Sequence, residues 1–528
     1  MPATSSIISD PAAKSSTDTV AQDDPDAPGA PISVPDSGDH EGGKLKMIIQ
    51  LVKRSLGVKD LAAMRISLPA SLMEPVPNLE YWGYLDRPDL FAAINEHEDP
   101  LERMLSVLRF TFSKDLKFIK GKVCKPYNSV LGEHFRAYYD VPINAITFKS
   151  KDSRQPPEFS WHLDDSDQPD SHITTLSTPA IRVKSPSSAS LSVKSIKAPN
   201  MLSDHHYAES SPNLPQRPAS SAESSYAAST IDGDDTPDTQ PSSHTRVLFL
   251  TEQVSHHPPI SSFKIACPDK GVEACGVDQI AARVTGTALK VHPGTHNKGI
   301  FVNITKGHGE GETYWITHPT ACVNGILRGS FYATITDSTI ITCTGGKGDQ
   351  LRAIIEYKEE PWLGAPRFLV EGVIYKYTPG PEQEAWTKVK QVPKDLVVAT
   401  FDGCWRKSIN WKKNGGDEST LLIDLSALSV VPKQVRPIEE QLPNESRRLW
   451  EGVTSNLLSK EFSEATKIKQ AIEQKQRDIA AERKRNNTPF EPVYFDPDIS
   501  SGAPQLTAEG QKALEEMIKY TMPKHHAA

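Results

Sequence analysis

"RVLFLTEQVSHHPPI", residues 246–260, carries the first decision about the fold. A strand-like apolar run, Arg246–Leu250, leads into a histidine doublet set against paired prolines. Proline fixes its own φ and biases the residue before it toward extended geometry. His256 and His257 are therefore expected at a stiffened strand end, not on a helix. Successive side chains of an extended segment point to opposite faces. A doublet held there can chelate a metal, shuttle protons or grip an anion.

Downstream, short segments of the same character follow one another: "QIAARVTGTALKV", "GIFVNIT", "ETYWITH", "GSFYATI", "STIITCT", "LRAIIEY", "RFLVEGVIYKY", "LVVATF" and "TLLIDL". Gly, Pro, Asn and Asp separate them. This succession, from residue 246 to about 426, predicts an antiparallel sheet that closes or folds on itself. A barrel with this many strands is wide enough to hold a ligand as well as packed side chains. Helical patterns flank it at residues 88–120 and 444–485. Residues 44–56, "KLKMIIQLVKRSL", place Leu45, Ile48, Ile49, Val52 and Leu56 at helical spacing among lysines and an arginine. That is either an ordinary core helix or one that meets an anionic membrane surface. The fold class expected is thus mainly β with flanking helices.

Two tracts lack the apolar content to offset ordering entropy. Residues 1–43 form one, expected as a disordered tail. The other, residues 150–245, is rich in Ser and Pro and falls between strand-like segments, so it reads as an insertion inside one domain. That domain is expected to comprise residues 44–149 and 246–495, with a C-terminal tail at 496–528. The net charge of -8 argues against a chain-wide nucleic-acid binder. None of the six cysteines has the C-x-x-C spacing of a zinc knuckle. The N-terminus lacks a signal-like pattern, and no apolar run approaches the ~20 residues of a membrane span. A cytoplasmic compartment is expected.

Three clusters can carry chemistry. "KVCKPYNSVLGEHF" holds Lys125, Asn128 and Glu133; the doublet follows; Lys469, Glu473 and Arg477 share a helix face at i, i+4, i+8. Taken alone, that stripe reads as a solvated charge ladder. A metal site is disfavoured because zinc wants three or four ligands and no further Cys or His lies at a suggestive spacing. No nucleophile elbow appears, so no catalytic role is assigned and no enzyme is expected. Together, the lysines, arginine and histidines can surround a polyanion. Arginine grips phosphate with parallel hydrogen bonds, and phosphate favours protonated imidazole. Asn and Glu suit sugar-like hydroxyls.

"EQVSHHPP", "KPYNSVLGE", "RPIEEQLPNESRRLW" and "KQAIEQKQR" resemble segments of the oxysterol-binding-protein-related family of lipid transfer proteins. The resemblance runs from about residue 44 to about 495. It implies a near-complete antiparallel β-barrel around a lipid tunnel, with C-terminal helices and an amphipathic lid. By matching positions, Lys125, Asn128, His256, His257, Lys469, Glu473 and Arg477 would bind the headgroup of phosphatidylinositol 4-phosphate. Leu45, Ile48, Ile49, Val52 and Leu68 would belong to the lid and the second-lipid site. The resemblance implies no cofactor beyond bound lipid cargo, and exchange of the phosphoinositide for a sterol or for phosphatidylserine. "SLPASLMEP" mixes the lid patterns of both cargo types; sterol is the choice made here. Transient, peripheral attachment to anionic membranes at endoplasmic reticulum, Golgi or plasma membrane contact sites is implied. A second possibility is a lipid-dependent sensor or scaffold whose insertion binds a protein partner.

Overall fold

Among the described residues the strand periodicity of the sequence is realised as eighteen strands and a few helices. The computed structural model describes residues 32–33, 66–67, 74–120, 126–143, 244–285, 288–324, 332–361 and 365–521. Near the N-terminus β1 (Ile32–Ser33) pairs in parallel with β2 (Ile66–Ser67). The strands that follow are β3 (His134–Pro142), β4 (His244–His256), β5 (Pro259–Cys267), β6 (Val272–Asp278), β7 (Ile280–Thr285), β8 (Ala288–Pro293), β9 (Ile300–Ile304) and β10 (Glu312–Ile316). The rest are β11 (Thr320–Asn324), β12 (Tyr332–Thr336), β13 (Ser338–Gly345), β14 (Leu351–Tyr357), β15 (Leu369–Lys376), β16 (Val397–Cys404), β17 (Ser408–Lys413) and β18 (Thr420–Asp424).

Twelve strands form one antiparallel sheet in the order β18-β17-β16-β15-β14-β13-β10-β9-β6-β5-β4-β3. The remaining four pair as β12-β11-β8-β7. This second order repeats β13-β10-β9-β6, because β12 runs into β13, β10 into β11, β8 into β9 and β6 into β7. The small sheet therefore continues four strands of the large one past a bend. The chain crosses that bend at Gln279, at residues 294–299, at 317–319 and at Asp337. Gly299, at φ +116, is required there: a Cβ would lie 2.2 Å from the Ile316 carbonyl oxygen.

The free edge of β3 is covered by the chain that leaves β18. Tyr138 and Gln434 exchange backbone hydrogen bonds of 2.9 and 3.0 Å, and His134 N donates to Asn444 O at 3.1 Å. The sheet is thereby carried round toward its own start. Inward-facing residues alternate along the strands as period-2 geometry demands. Phe135, Ala137 and Tyr139 of β3 and Val247 and Phe249 of β4 enter the main core. Helix α1 (Pro100–Ser113) fills that interior; Pro100 starts it and the Asp99 carboxylate accepts from Leu101 N at 2.8 Å. Buried nearly all round, α1 carries Arg103, whose guanidinium grips Glu312 while Tyr314 also donates to that carboxylate at 2.7 Å.

Helices α2 (Ser446–Leu458) and α3 (Phe462–Asn486) follow, as the pattern at 444–485 predicts. The segment expected as a C-terminal tail, 496–528, instead contains helix α4 (Ala508–Lys519). Its Ala513, Leu514 and Met517, with Tyr494 and Phe495, cover Tyr138, Leu248 and Leu250 on the outer face of the sheet. The physical reason is that an amphipathic turn with its own cap, Thr507 Oγ1 accepting from Gly510 N at 3.0 Å, found an apolar sheet face to cover. Strand β4 also starts at His244, inside the stretch assigned to the insertion. The rest of that insertion, the tail at 1–31 and the lid residues Leu45, Ile48, Ile49, Val52 and Leu68 lie outside the described residues.

Candidate functional site

The loop "KPYNSVLGE" is fastened before it presents anything. Gly132 N donates to Gln253 O at 3.0 Å, and Gln253 N to Glu133 O at 2.8 Å. Tyr127 packs at a tilt against Trp450, with ring centroids 5.1 Å apart, and its hydroxyl lies 3.0 Å from Thr454 Oγ1. The Glu133 carboxylate accepts from Val130 N at 3.0 Å, Ser446 Oγ at 2.7 Å and Trp450 Nε1 at 3.0 Å. Those partners are neutral and the group is fully buried, so burial pushes its pKa up to about 7. Glu133 is thus no partner for sugar hydroxyls, as its residue type suggested; its oxygens are spent bracing the loop to α2.

The stretch "NESRRLW" completes that brace. Glu445 pairs with buried Arg136, Ser446 with Glu133, and Arg447 holds Glu80 with bonds of 3.0 and 2.7 Å. The apolar face of α3, through Ala465, Ile468 and Ile472, packs with Trp450, Val453, Tyr127 and Val130. One brace therefore mounts both the loop and α3.

The doublet sits at the tip of the β4–β5 hairpin. His256 pairs with Pro259 in register, so His257 and Pro258 form the turn, with a cis peptide bond between them. A bulge between Gln253 and Ser255 precedes it. The rings of His256 and His257 lie 4.5 Å apart, and both residues are half-buried. His256 Nδ1 is 3.2 Å from the Ser129 carbonyl oxygen. A proton on Nδ1 can be donated to that carbonyl. Ser129 Oγ beside it is buried and has no hydrogen-bond partner among the described residues.

Of the other predicted residues, Asn128 is exposed at the loop surface, and Lys125 lies outside the described residues. On α3, Lys469 Nζ is 2.5 Å from Glu473 Oε1, with the lysine buried and the glutamate half-buried. Arg477 turns instead to Gln474 Oε1, at 3.1 Å from Nε and 2.9 Å from Nη2. The hairpin tip thus meets the loop through Ser129, and the stripe reaches the same brace through α3. Among the described residues no three His, Cys, Asp or Glu side chains are grouped to hold a metal ion.

Sequence reasoning missed a second polar group, inside the sheet. Tyr84 donates to Asp278 at 2.6 Å, and His318 stacks on the Tyr84 ring with centroids 5.6 Å apart. Lys114 pairs with Asp115, and Lys117 lies 3.4 Å from Asp86 and 3.5 Å from Asp115. Burial pushes Asp278 up to about 7 and His318 down to about 3. Burial raises Asp115 too, but Lys114 and Lys117 outweigh it and hold the carboxyl at about 2. The Lys117 and Asp115 side chains keep 17% and 25% of their surface accessible, so this polar wall is reachable by water. The charged run "SKDLK" was its visible trace.

The comparisons with known proteins fit this architecture. The ORD domain of Osh1 in its complex with cholesterol shares the fold, with a TM-score of 0.52 over 92% of this chain and 90% of that one, at 17% identity. The ORD of Osh3 from Saccharomyces cerevisiae, solved with PI(4)P, gives 0.51 over 94% and 98% at 15% identity. The fold is that of a β-barrel domain of this type. The family model described as oxysterol-binding protein matches residues 47–213 and 237–514. The chain belongs to the oxysterol-binding protein family. It is 42% identical to oxysterol-binding protein-like protein 1 of Schizosaccharomyces pombe, over 92% of this chain and 94% of that protein. Human oxysterol-binding protein-related protein 10 is 27% identical over 82% of this chain, which spans 44% of that longer relative.

Proposed function

We propose that this chain is a non-enzymatic lipid transfer protein that binds phosphatidylinositol 4-phosphate and exchanges it for a sterol between membranes. The observation that carries the reading is the mounting of the doublet. Two imidazoles stand at a hairpin tip pinned to Ser129, on the same brace that holds α3 with Lys469 and Arg477. In this reading His256, His257 and Arg477 hold the phosphate, and Lys125 and Lys469 add positive charge. Asn128 and Glu473 meet the inositol hydroxyls. Glu473 also keeps the buried Lys469 ammonium paired while the site is empty.

Acyl chains would pass inside the sheet, where each buried methylene contributes ~0.8 kcal/mol toward leaving a bilayer. Residues 44–56 and Leu68 would close over the mouth. The Tyr84–Asp278 pair offers the donor and acceptor that a sterol hydroxyl needs inside the sheet. The solved relatives in complex with cholesterol, with ergosterol and with PI(4)P support both halves of the exchange. Phosphatidylserine is the second reading, favoured by the mixed charges of Lys114, Lys117, Asp86 and Asp115 on the same wall. No helix among the described residues is long and apolar enough to cross a membrane. Attachment at contact sites would accordingly be peripheral and transient.

The test is extraction of labelled phosphatidylinositol 4-phosphate from liposomes by the purified chain. Transfer of label to the soluble fraction is the expected result. Label that stays with the liposomes at stoichiometric protein would remove the proposal. Lipid mass spectrometry of protein purified from its own cells decides between sterol and phosphatidylserine.

A further inference from the structure

The four-stranded sheet carries a pocket of its own at the bend. Arg283 of β7, Lys290 and His292 of β8, His318, Thr320 of β11, Thr336 of β12 and Asp337 line a cleft of about 440 Å³, with Pro293 and Pro319. That volume falls within the ~300–1,000 Å³ of small-molecule sites. The lining holds no aliphatic or aromatic hydrocarbon side chain apart from the prolines, so it does not suit an acyl chain or a sterol ring. Arg283 stands directly opposite Lys290 in the β7–β8 register. Like charges placed so are destabilising unless something neutralises them. Neither residue makes an ion pair among the described residues. His318 adds a buried Nε2 that also has no hydrogen-bond partner among the described residues.

We propose that this cleft is a second anion site that takes a phosphomonoester, separate from the hairpin tip of His256 and His257. The phosphate would sit between Arg283 and Lys290 and remove their repulsion. A guanidinium offers parallel N–H donors to phosphate oxygens, and the ammonium a further one. His318 Nε2 and the Thr320 hydroxyl donate from the floor and wall, and the Thr336 hydroxyl, which donates to the Thr320 carbonyl oxygen at 3.4 Å, turns to the phosphate. Asp337 is the carboxylate of the rim, and it accepts from a hydroxyl on the carbon framework that bears the phosphate. The same chemistry is offered by a soluble sugar phosphate and by a phosphoinositide headgroup in a membrane that this end of the molecule approaches.

The experiment titrates the full chain with inositol 1,4,5-trisphosphate by calorimetry. Wild type, His256→Ala with His257→Ala, and Arg283→Gln with Lys290→Gln are compared. The histidine variant is expected to retain one binding event, and adding the Arg283 and Lys290 substitutions to it weakens that event at least tenfold. Should the histidine variant not fold, stoichiometry replaces it: two equivalents for wild type and one for Arg283→Gln with Lys290→Gln. Flotation with phosphatidylcholine vesicles, with and without phosphatidylinositol 4-phosphate, then separates the sources. Arg283- and Lys290-dependent flotation assigns a headgroup; soluble binding without it assigns a free phosphate. Unchanged affinity and stoichiometry after the Arg283 and Lys290 substitutions would overturn the proposal, as would a single equivalent in wild type with none in the folded histidine variant.

Discussion

Replacing Glu133 with glutamine isolates the buried carboxyl that braces the candidate site. Its pKa rises from an ordinary 4.5 to about 7, through burial among neutral donors. The native state therefore holds this proton more tightly than the unfolded chain does. The stability it contributes is complete below pH 4.5 and is lost as pH rises through about 7. Full loss corresponds to about 3 kcal/mol. Glutamine keeps an acceptor for Val130 N and Trp450 Nε1. Its amide can donate to Ser446 Oγ, whose hydroxyl has the His134 carbonyl oxygen 3.2 Å away as an alternative acceptor. His134, held near 4 by burial, and His318, held near 3, act in the opposite sense. Their contributions are present above the ordinary histidine pKa and fade as pH falls, so the wild-type profile alone is not diagnostic. The assay is urea unfolding of both proteins at pH 5, 6, 7 and 8. The glutamine variant should match wild type within about 1 kcal/mol at pH 5 and gain about 2–3 kcal/mol on it by pH 8. Parallel profiles would refute the raised pKa of the fully buried Glu133.

Changing His256 and His257 together to alanine should lower phosphoinositide extraction more than tenfold, since lost charge-assisted hydrogen bonds cost ~1.5–3 kcal/mol each. Binding of the second lipid, measured with a fluorescent sterol, should be largely spared; equal loss of both in a folded protein would mark the doublet as structural. Glu445→Ala leaves Arg136 buried without its carboxylate, and should cost ~3–5 kcal/mol in chemical denaturation. Met517→Ala should cost ~2–5 kcal/mol, because its fully buried side chain docks α4 on the sheet; an unchanged melting curve would return that helix to the status of a passenger tail.

Much of the architecture was readable because strands and hairpins are local. The prolines after His257 announced a strand end, and the structure has β4 ending at His256 and β5 starting at Pro259. The i, i+4 spacing of Lys469 and Glu473 announced a shared helix face, and the two form an ion pair. Other features depend on partners far along the chain. Glu133 looked like a ligand for hydroxyls because its partners, Ser446 and Trp450, lie 313 and 317 residues away. Tyr84 and Asp278 are 194 residues apart, and nothing local marks either as polar furniture of an interior. Helix α4 had a local signal in Thr507 and the Ala513, Leu514, Met517 spacing. The sheet face it covers is built from β3 and β4, and only the folded chain brings that face to it.

The central claim is exchange: one chain holds either the phosphoinositide or the second lipid. The direct measurement loads the purified chain with labelled phosphatidylinositol 4-phosphate and adds liposomes that contain sterol. The account predicts that label moves to the liposomes as sterol enters the soluble fraction, in equal molar amounts. Sterol uptake with the phosphoinositide still fully bound, or no release at any sterol content, would contradict it.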